Sequence, residues 1–298
     1  MNNNPTAEKK LTALRSILKS MGSAALAFSG GVDSTFLLNE AREVLGNRVI
    51  AVTARSDMFI STEYTDATSL ARLLGVRLIT VESKALNEPS VSKNPPDRCY
   101  YCKKAIFSTV LQIARKEGLA WVMDGTHAGD IGDYRPGMRA LKELGVRSPL
   151  REAGLTKPEI RTLSEKSGLP TSNKPSMACL ASRFPYGIEI TPEKLKQVAR
   201  AESVLYDMGF NTLRVRHHES LARIELAPDT LQKAVEPQIR NKLVQALKEL
   251  GYHYVTLDLE GYRTGSMNEV LLKSKNQKAK IKNQEKPKSD RGNVKSKR

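Results

Sequence analysis

Two groups of residues in this chain of 298 have the types and spacing to do chemistry. The first is Ser29-Gly30-Gly31-Val32-Asp33-Ser34, set between an apolar run, Ala24 to Phe28, and a helix-like run that begins near Ser34. Adjacent glycines let backbone N–H groups close on an anion, serines add hydroxyl donors, and a helix N-terminus favours negative charge. The guest expected at such a turn is a nucleotide phosphate. The turn carries no lysine and does not fit G-x-x-x-x-G-K-S/T, which argues against a kinase or a GTPase. A Gly-rich turn closing an ordinary Rossmann-like strand is the plainer alternative.

The second group is Cys99, Cys102 and Cys179, too few for a disulfide framework. Cys99 and Cys102 form a C-x-x-C turn flanked by Arg98, Lys103 and Lys104, which would favour thiolates at a metal or cluster site. A purely structural pair and a redox dithiol are the alternatives. Cys179 lies in a Pro- and Ser-rich stretch, where a cysteine has less reason to be core. If it approaches the pair, the site holds three thiols. Zinc would ask for a fourth protein ligand, and His127 is a candidate. An iron–sulfur cluster on three cysteines would instead leave one iron open to a ligand such as sulfide.

The elements that must position these groups alternate. Strand patterns at Ala24 to Phe28, Val49 to Thr53, Arg77 to Val81 and Ala120 to Met123 are interleaved with helices at 34–45, 62–74 and 102–116, after a leading amphipathic helix at 7–20. This predicts an α/β fold with a parallel sheet and ligands at the carboxyl ends of its strands, where the SGGVDS turn lies. A loop follows Asp124, then a helix from Lys157 to Ser167 with Thr156 as N-cap, then a long irregular loop from Pro170 to Pro192. Beyond it, a helix to about Met208, strands at 212–217 and 221–226, a helix over 229–250 that Pro237 kinks or splits, and a strand at 252–259 form a smaller α+β unit. The expected division is 1–185, 186–272 and a tail, 273–298.

Hydrophobic residues at 40% and charged residues at 27% describe a globular protein, and no apolar run is long enough to span a bilayer. The start of the chain shows no apolar leader, so the cytoplasm is the expected location and no membrane partner is expected. The net charge of +16 is concentrated: nine Lys and two Arg against Glu285 and Asp290 give the tail +9 and leave +7 for the body. Such a tail is expected to be a disordered, solvated extension. With aromatics at 5%, nucleic acid is not the expected partner.

In this setting SGGVDS resembles the loop of the PP-loop ATP pyrophosphatases, which grip the pyrophosphate of ATP while a nucleophile attacks the α-phosphorus. Together with RCYYCK, DGT followed by DYRPG, EAGLTKPEIR, NKPSMACLASRFPYG and LDLEGYRTGSMNE, spread over residues 29–269, the chain resembles the LarE family of sulfur transferases in its three-cysteine form. The resemblance implies adenylation of pyridinium-3,5-biscarboxylic acid mononucleotide and replacement of its carboxylates by thiocarboxylates, toward the nickel-pincer nucleotide cofactor of lactate racemase. It implies ATP and Mg2+, a [4Fe-4S] cluster on Cys99, Cys102 and Cys179 that carries a reloadable sulfide, an unidentified sulfur source, and a homo-oligomer, in some members a hexamer.

By position, the resemblance places Ser29, Gly30, Gly31, Val32, Asp33 and Ser34 around ATP, with Asp33 orienting the metal or serving the helix dipole. Asp124, Gly125 and Thr126 would line the same site. Arg135 would face phosphate or a substrate carboxylate, and Arg214 and Arg216, on one strand face with His218, would hold the substrate's phosphate. Cys179, Arg183 and Glu202 would belong to the reaction centre, and Asp258 is a weaker candidate. His127, Gly129 and Ser172 depart from the family pattern. A PP-loop tRNA thiolase, which also combines ATP, three cysteines and sulfur, is the rival enzyme.

Overall fold

Residues alternate in and out along a strand, so a strand apolar on both sides must be covered on both faces. In the computed structural model, which describes residues 6–59, 61–130, 136–175, 178–269 and 271, this holds for the first strand. The order is α1 (Ala7–Met21), β1 (Ala24–Ala27), α2 (Val32–Leu45), β2 (Val49–Arg55), α3 (Ser61–Leu73), β3 (Leu78–Glu82), α4 (Pro89–Ser92), α5 (Arg98–Lys116) and β4 (Trp121–Met123). The four strands form a parallel sheet in the order β3-β2-β1-β4, with Ala24 opposite Val49 and Trp121. Leu26 packs with Phe36, Leu37 and Leu38 of α2 and Leu14 and Leu18 of α1, whereas Ala25 faces Phe107 and Val110 of α5. Burial of each large side chain contributes about 2 kcal/mol.

Next come α6 (Pro136–Glu143), α7 (Pro149–Glu152) and α8 (Lys157–Lys166). Thr156 starts α8: the Glu159 carboxylate accepts from its N–H at 2.8 Å and its hydroxyl at 2.7 Å, and Lys10 of α1 reaches the same carboxylate at 2.8 Å. Then follow α9 (Pro192–Asp207), β5 (Leu213–His218), β6 (Leu221–Leu226), α10 (Leu231–Val235), α11 (Pro237–Glu249) and β7 (Tyr254–Leu257). Their sheet has the order β5-β6-β7, antiparallel then parallel, and its core holds Leu205, Phe210, Val215, Ile224, Leu247 and Tyr252. Another cluster, with Met58, Val91, Leu180, Phe184, Leu195 and Val198, takes Cys102 and Cys179 against its side. The segment around Cys179 therefore packs both on the first sheet's loops and on α9.

Two elements differ from the sequence expectation. α5 begins at Arg98 rather than Cys102, so the C-x-x-C turn is its first turn and presents both cysteines along the helix. Pro136–Glu143, expected in a loop, is helical, with Pro136 leading as a first-turn proline can. The stretch 229–250 is split as expected at Pro237, into two helices parted at Glu236, because Pro237 has no N–H for a continuing helix and seats at the start of α11. The long loop contains one 3-10 turn, Leu180–Arg183. The tail 273–298 lies outside the described residues.

Candidate active site

The carboxyl end of β1 delivers the Ser29–Ser34 turn to the start of α2. Gly30 adopts φ +68°, and a Cβ there would lie 3.1 Å from the Ala67 backbone of α3, so both conformation and space ask for glycine. Gly31 is the N-cap residue, and the hydroxyls of Ser29 and Ser34 meet at 3.1 Å. β4 ends beside the same turn: a Cβ on Gly125 would come within 3.1 Å of the Ser34 nitrogen. Asp124, buried, accepts from Ser148 at 2.7 Å and from Thr126, and Lys103 stands 4.0 Å from it. The loop and the Asp124-Gly125-Thr126 segment thus share one wall.

Asp33 is ion-paired with Lys157 through one carboxylate oxygen; the other is buried without a hydrogen-bond partner among the described residues. Lys174 donates to the Gly30 carbonyl at 3.3 Å and pairs with Asp66 at 2.7 Å. Its backbone is held by Arg161, which donates to its carbonyl at 2.8 Å. The turn has no lysine of its own, yet two lysines from α8 and the following loop reach it. Sequence reasoning missed both, although they sit inside the TKPEIR and NKP segments that carried the resemblance.

Cys99 is exposed at the start of α5, Cys102 follows three residues later and is half-buried, and Cys179 sits just before the Leu180–Arg183 turn. Burial pushes the Cys102 thiol up to about 12, and the neighbouring Cys179 and Cys99 add to the rise. Burial raises the Cys179 thiol as well, against the opposing charge of Arg98. The Cys102 and Cys179 side chains pack against the same hydrophobic cluster. Among the described residues, however, no three His, Cys, Asp or Glu side chains gather tightly enough for a single metal ion. His127 is spent in its own turn, its Nδ1 accepting from the Gly129 N–H at 3.1 Å.

Two buried polar groups fasten the thiol segments. Asn94, at φ +52°, donates to the Pro185 carbonyl at 2.7 Å and accepts from Arg98. Arg98 donates to the Ala181 carbonyl at 2.9 Å and lies 3.6 Å from the Cys99 sulfur. On the other side, Arg183 and Glu202 form a bidentate pair at 2.9 and 2.8 Å, each side chain 1% exposed. Arg183 also donates to the Cys179 carbonyl at 3.0 Å, and Glu202 accepts from the Val215 N–H of β5 at 3.0 Å. Through this pair α9 and β5 fix the backbone at Cys179.

Beside that loop lies a cavity of about 160 Å³ whose walls include Arg98, Ser182, Arg214, Arg216, Tyr262 and Arg263. Arg216 is tied to Glu225 at 2.6 Å and donates to the Ser182 carbonyl at 3.0 Å. Arg214 stacks 5.2 Å from the Tyr262 ring, and burial, then the charge of Arg183, lower its pKa. Four arginines, Arg98, Arg214, Arg216 and Arg263, thus stand on its walls. His218 carries a buried ring nitrogen with no hydrogen-bond partner among the described residues, and Asp258 pairs with Arg223 at 2.9 Å and with the wall residue Arg263 at 3.5 Å. Arg135 lies outside the described residues.

No protein-family model matches the chain. It is 44% identical over 266 residues to an uncharacterized protein of Synechocystis sp., covering 89% of this chain and 99% of that protein. It is 41% identical over 269 residues to the pyridinium-3,5-bisthiocarboxylic acid mononucleotide synthase of Lactiplantibacillus plantarum, covering 90% of this chain and 96% of that enzyme. A more distant likeness, 24% identity over 196 residues, joins it to one component of the glutamine-hydrolysing GMP synthase of Archaeoglobus fulgidus, covering 62% of this chain and 64% of that component.

Proposed function

Because the chain belongs to the LarE family of ATP-dependent sulfur transferases, we propose that it converts pyridinium-3,5-biscarboxylic acid mononucleotide to the bisthiocarboxylic acid. The observation that carries this reading is the segment 178–186, which bears Cys179 and also walls the arginine cavity through Ala178, Ser182, Phe184 and Tyr186. A sulfur carrier and an anionic substrate would then meet across a single loop. The product is a precursor of the nickel-pincer cofactor in this reading, and the cytoplasm, whose reducing conditions keep three thiols free, is its place. The division of the chain at residue 185 and a homo-oligomeric assembly belong to the same proposal.

ATP binds at the Ser29–Ser34 turn, where backbone N–H groups, the serine hydroxyls and the start of α2 face its pyrophosphate. Lys157 and Lys174 are placed to exchange Asp33 and Asp66 for phosphate oxygens. The unpartnered oxygen of Asp33 fits a hard cation, so Asp33 would hold Mg2+. A substrate carboxylate oxygen attacks the α-phosphorus, pyrophosphate leaves, and the poor oxide leaving group becomes AMP. Arg214 and Arg216 hold the substrate's phosphate, and Arg183 and Glu202 act by positioning Cys179.

The thiol set fits a [4Fe-4S] cluster better than a single ion. Cys99 and Cys102 on α5 and Cys179 on the fastened loop offer three soft donors, the ligand type that iron–sulfur clusters take. Cys99, Cys102 and Cys179 would hold it. When bound there, such a cluster would supply sulfide-level sulfur to the activated acyl carbon, with AMP as the leaving group.

Pyrophosphate release tests the reading. With ATP and Mg2+ it should be stimulated by the pyridinium biscarboxylate mononucleotide and not by tRNA. Stimulation by tRNA alone would transfer the assignment to a tRNA thiolase.

A further inference from the structure

Two of the cavity arginines differ from the rest. Arg216 and Arg263 have carboxylate partners, Glu225 for the first and Asp258, Glu260 and Glu269 for the second. Arg98 and Arg214 have none among the described residues, and they are 6% and 7% exposed. A buried guanidinium costs free energy unless an anion meets it. Among the described residues Arg214 meets the Leu213 carbonyl, the Tyr206 hydroxyl and the Tyr262 ring, and Arg98 meets neutral oxygens and the Cys99 sulfur. Both line the same cavity, so it presents two cationic groups without a carboxylate ion-pair partner among the described residues, one on β5 and one beside Cys99.

We propose that Arg98 is a substrate-binding residue that holds a carboxylate of the anionic substrate against the three thiols, while Arg214 holds the phosphate at the opposite pole. The inference rests on the proposed function and deepens it by orienting the mononucleotide: phosphate toward β5, reacting pyridinium carboxylate toward α5. The planar fork of Arg98 suits a carboxylate and, after transfer, a thiocarboxylate. The same side chain, through Asn94 and Ala181, keeps the Cys99–Cys102 turn and the Cys179 loop in register with the group it binds. A purely structural Arg98 would fasten these segments without contributing to substrate affinity.

The test is calorimetric titration of the whole, cluster-reconstituted protein with the pyridinium biscarboxylate mononucleotide, for wild type, Arg98→Lys and Arg98→Met. Iron content and melting temperature are measured on the same samples. Affinity should fall by on the order of a hundredfold in Arg98→Met. It should fall by about tenfold in Arg98→Lys, which keeps the charge and loses the fork. Nicotinic acid mononucleotide, with one ring carboxylate, should lose less than the biscarboxylate in the same variants. Unchanged affinity in Arg98→Lys with iron and melting temperature intact would overturn the proposal for Arg98 alone. Absence of binding to wild type would overturn the substrate reading and the Arg98 assignment with it.

Discussion

At the scale of single residues, the groups nearest Cys179 are spent on holding it. Arg183 and Glu202 lie 19 positions apart and, in the sequence, are two unconnected charges; their pairing exists only because α9 packs under the cysteine loop. Breaking a fully buried pair leaves one uncompensated charge, so Arg183→Met should cost about 3–5 kcal/mol in urea unfolding, and the Arg183→Met/Glu202→Gln double variant should recover part of it. Additive losses would contradict the pairing. His217 offers a second reading of burial. Its ring is packed between Phe184 and Tyr252, faces Glu219 and Lys194 only weakly, and burial lowers its pKa to about 4. The folded state thus keeps it neutral while the unfolded chain takes up a proton near pH 6.5. Its contribution is complete above that pH and is lost as the pH falls from about 6.5 toward 4, at up to about 1.4 kcal/mol per pH unit. Unfolding free energies of wild type minus His217→Gln should show this slope, and parallel curves would refute it.

At the scale of elements, what the sequence disclosed depended on contiguity. The four parallel strands were legible because each is a short apolar run, and the phosphate turn because its six residues are adjacent. The start of α5 was not, since Arg98 and two cysteines look like a loop until Asn94 and Ala181 anchor them. Lys157 and Lys174 were hidden for a similar reason: only the return of α8 to α2 brings them to the turn. The approach of β4 to α2 gives a test at this scale. Gly125→Ala would put a methyl 3.1 Å from the Ser34 nitrogen, in the wall proposed to face ATP. The KM for ATP should rise about tenfold or more while the melting temperature moves by only a few degrees. A variant with unchanged KM would place ATP elsewhere.

For the whole molecule, the two sheets cooperate through the loop between them. Arg216 of β5 donates to the Ser182 carbonyl, and the Tyr186 hydroxyl donates to Asn268 near the end of the described chain at 2.8 Å. No helix among the described residues is long and apolar enough to cross a membrane. More than half of the excess positive charge belongs to residues 273–298, whereas the arginines that line the cavity come from the body. Removing that tail should leave sulfur transfer within about twofold of the full chain, as for surface changes remote from a site. A tenfold loss would make the tail part of the machinery.

The most direct measurement is mass spectrometry of the product after anaerobic incubation of the cluster-reconstituted protein with ATP, Mg2+, sulfide and the pyridinium biscarboxylate mononucleotide, for wild type and Cys179→Ala. Oxygen should be exchanged for sulfur in more than one event per wild-type chain, and Cys179→Ala should still release pyrophosphate without forming thiocarboxylate. Unchanged substrate from wild type that holds its cluster and cleaves ATP, or thiocarboxylate from Cys179→Ala, would contradict a cysteine-held sulfur carrier acting across the loop at Cys179.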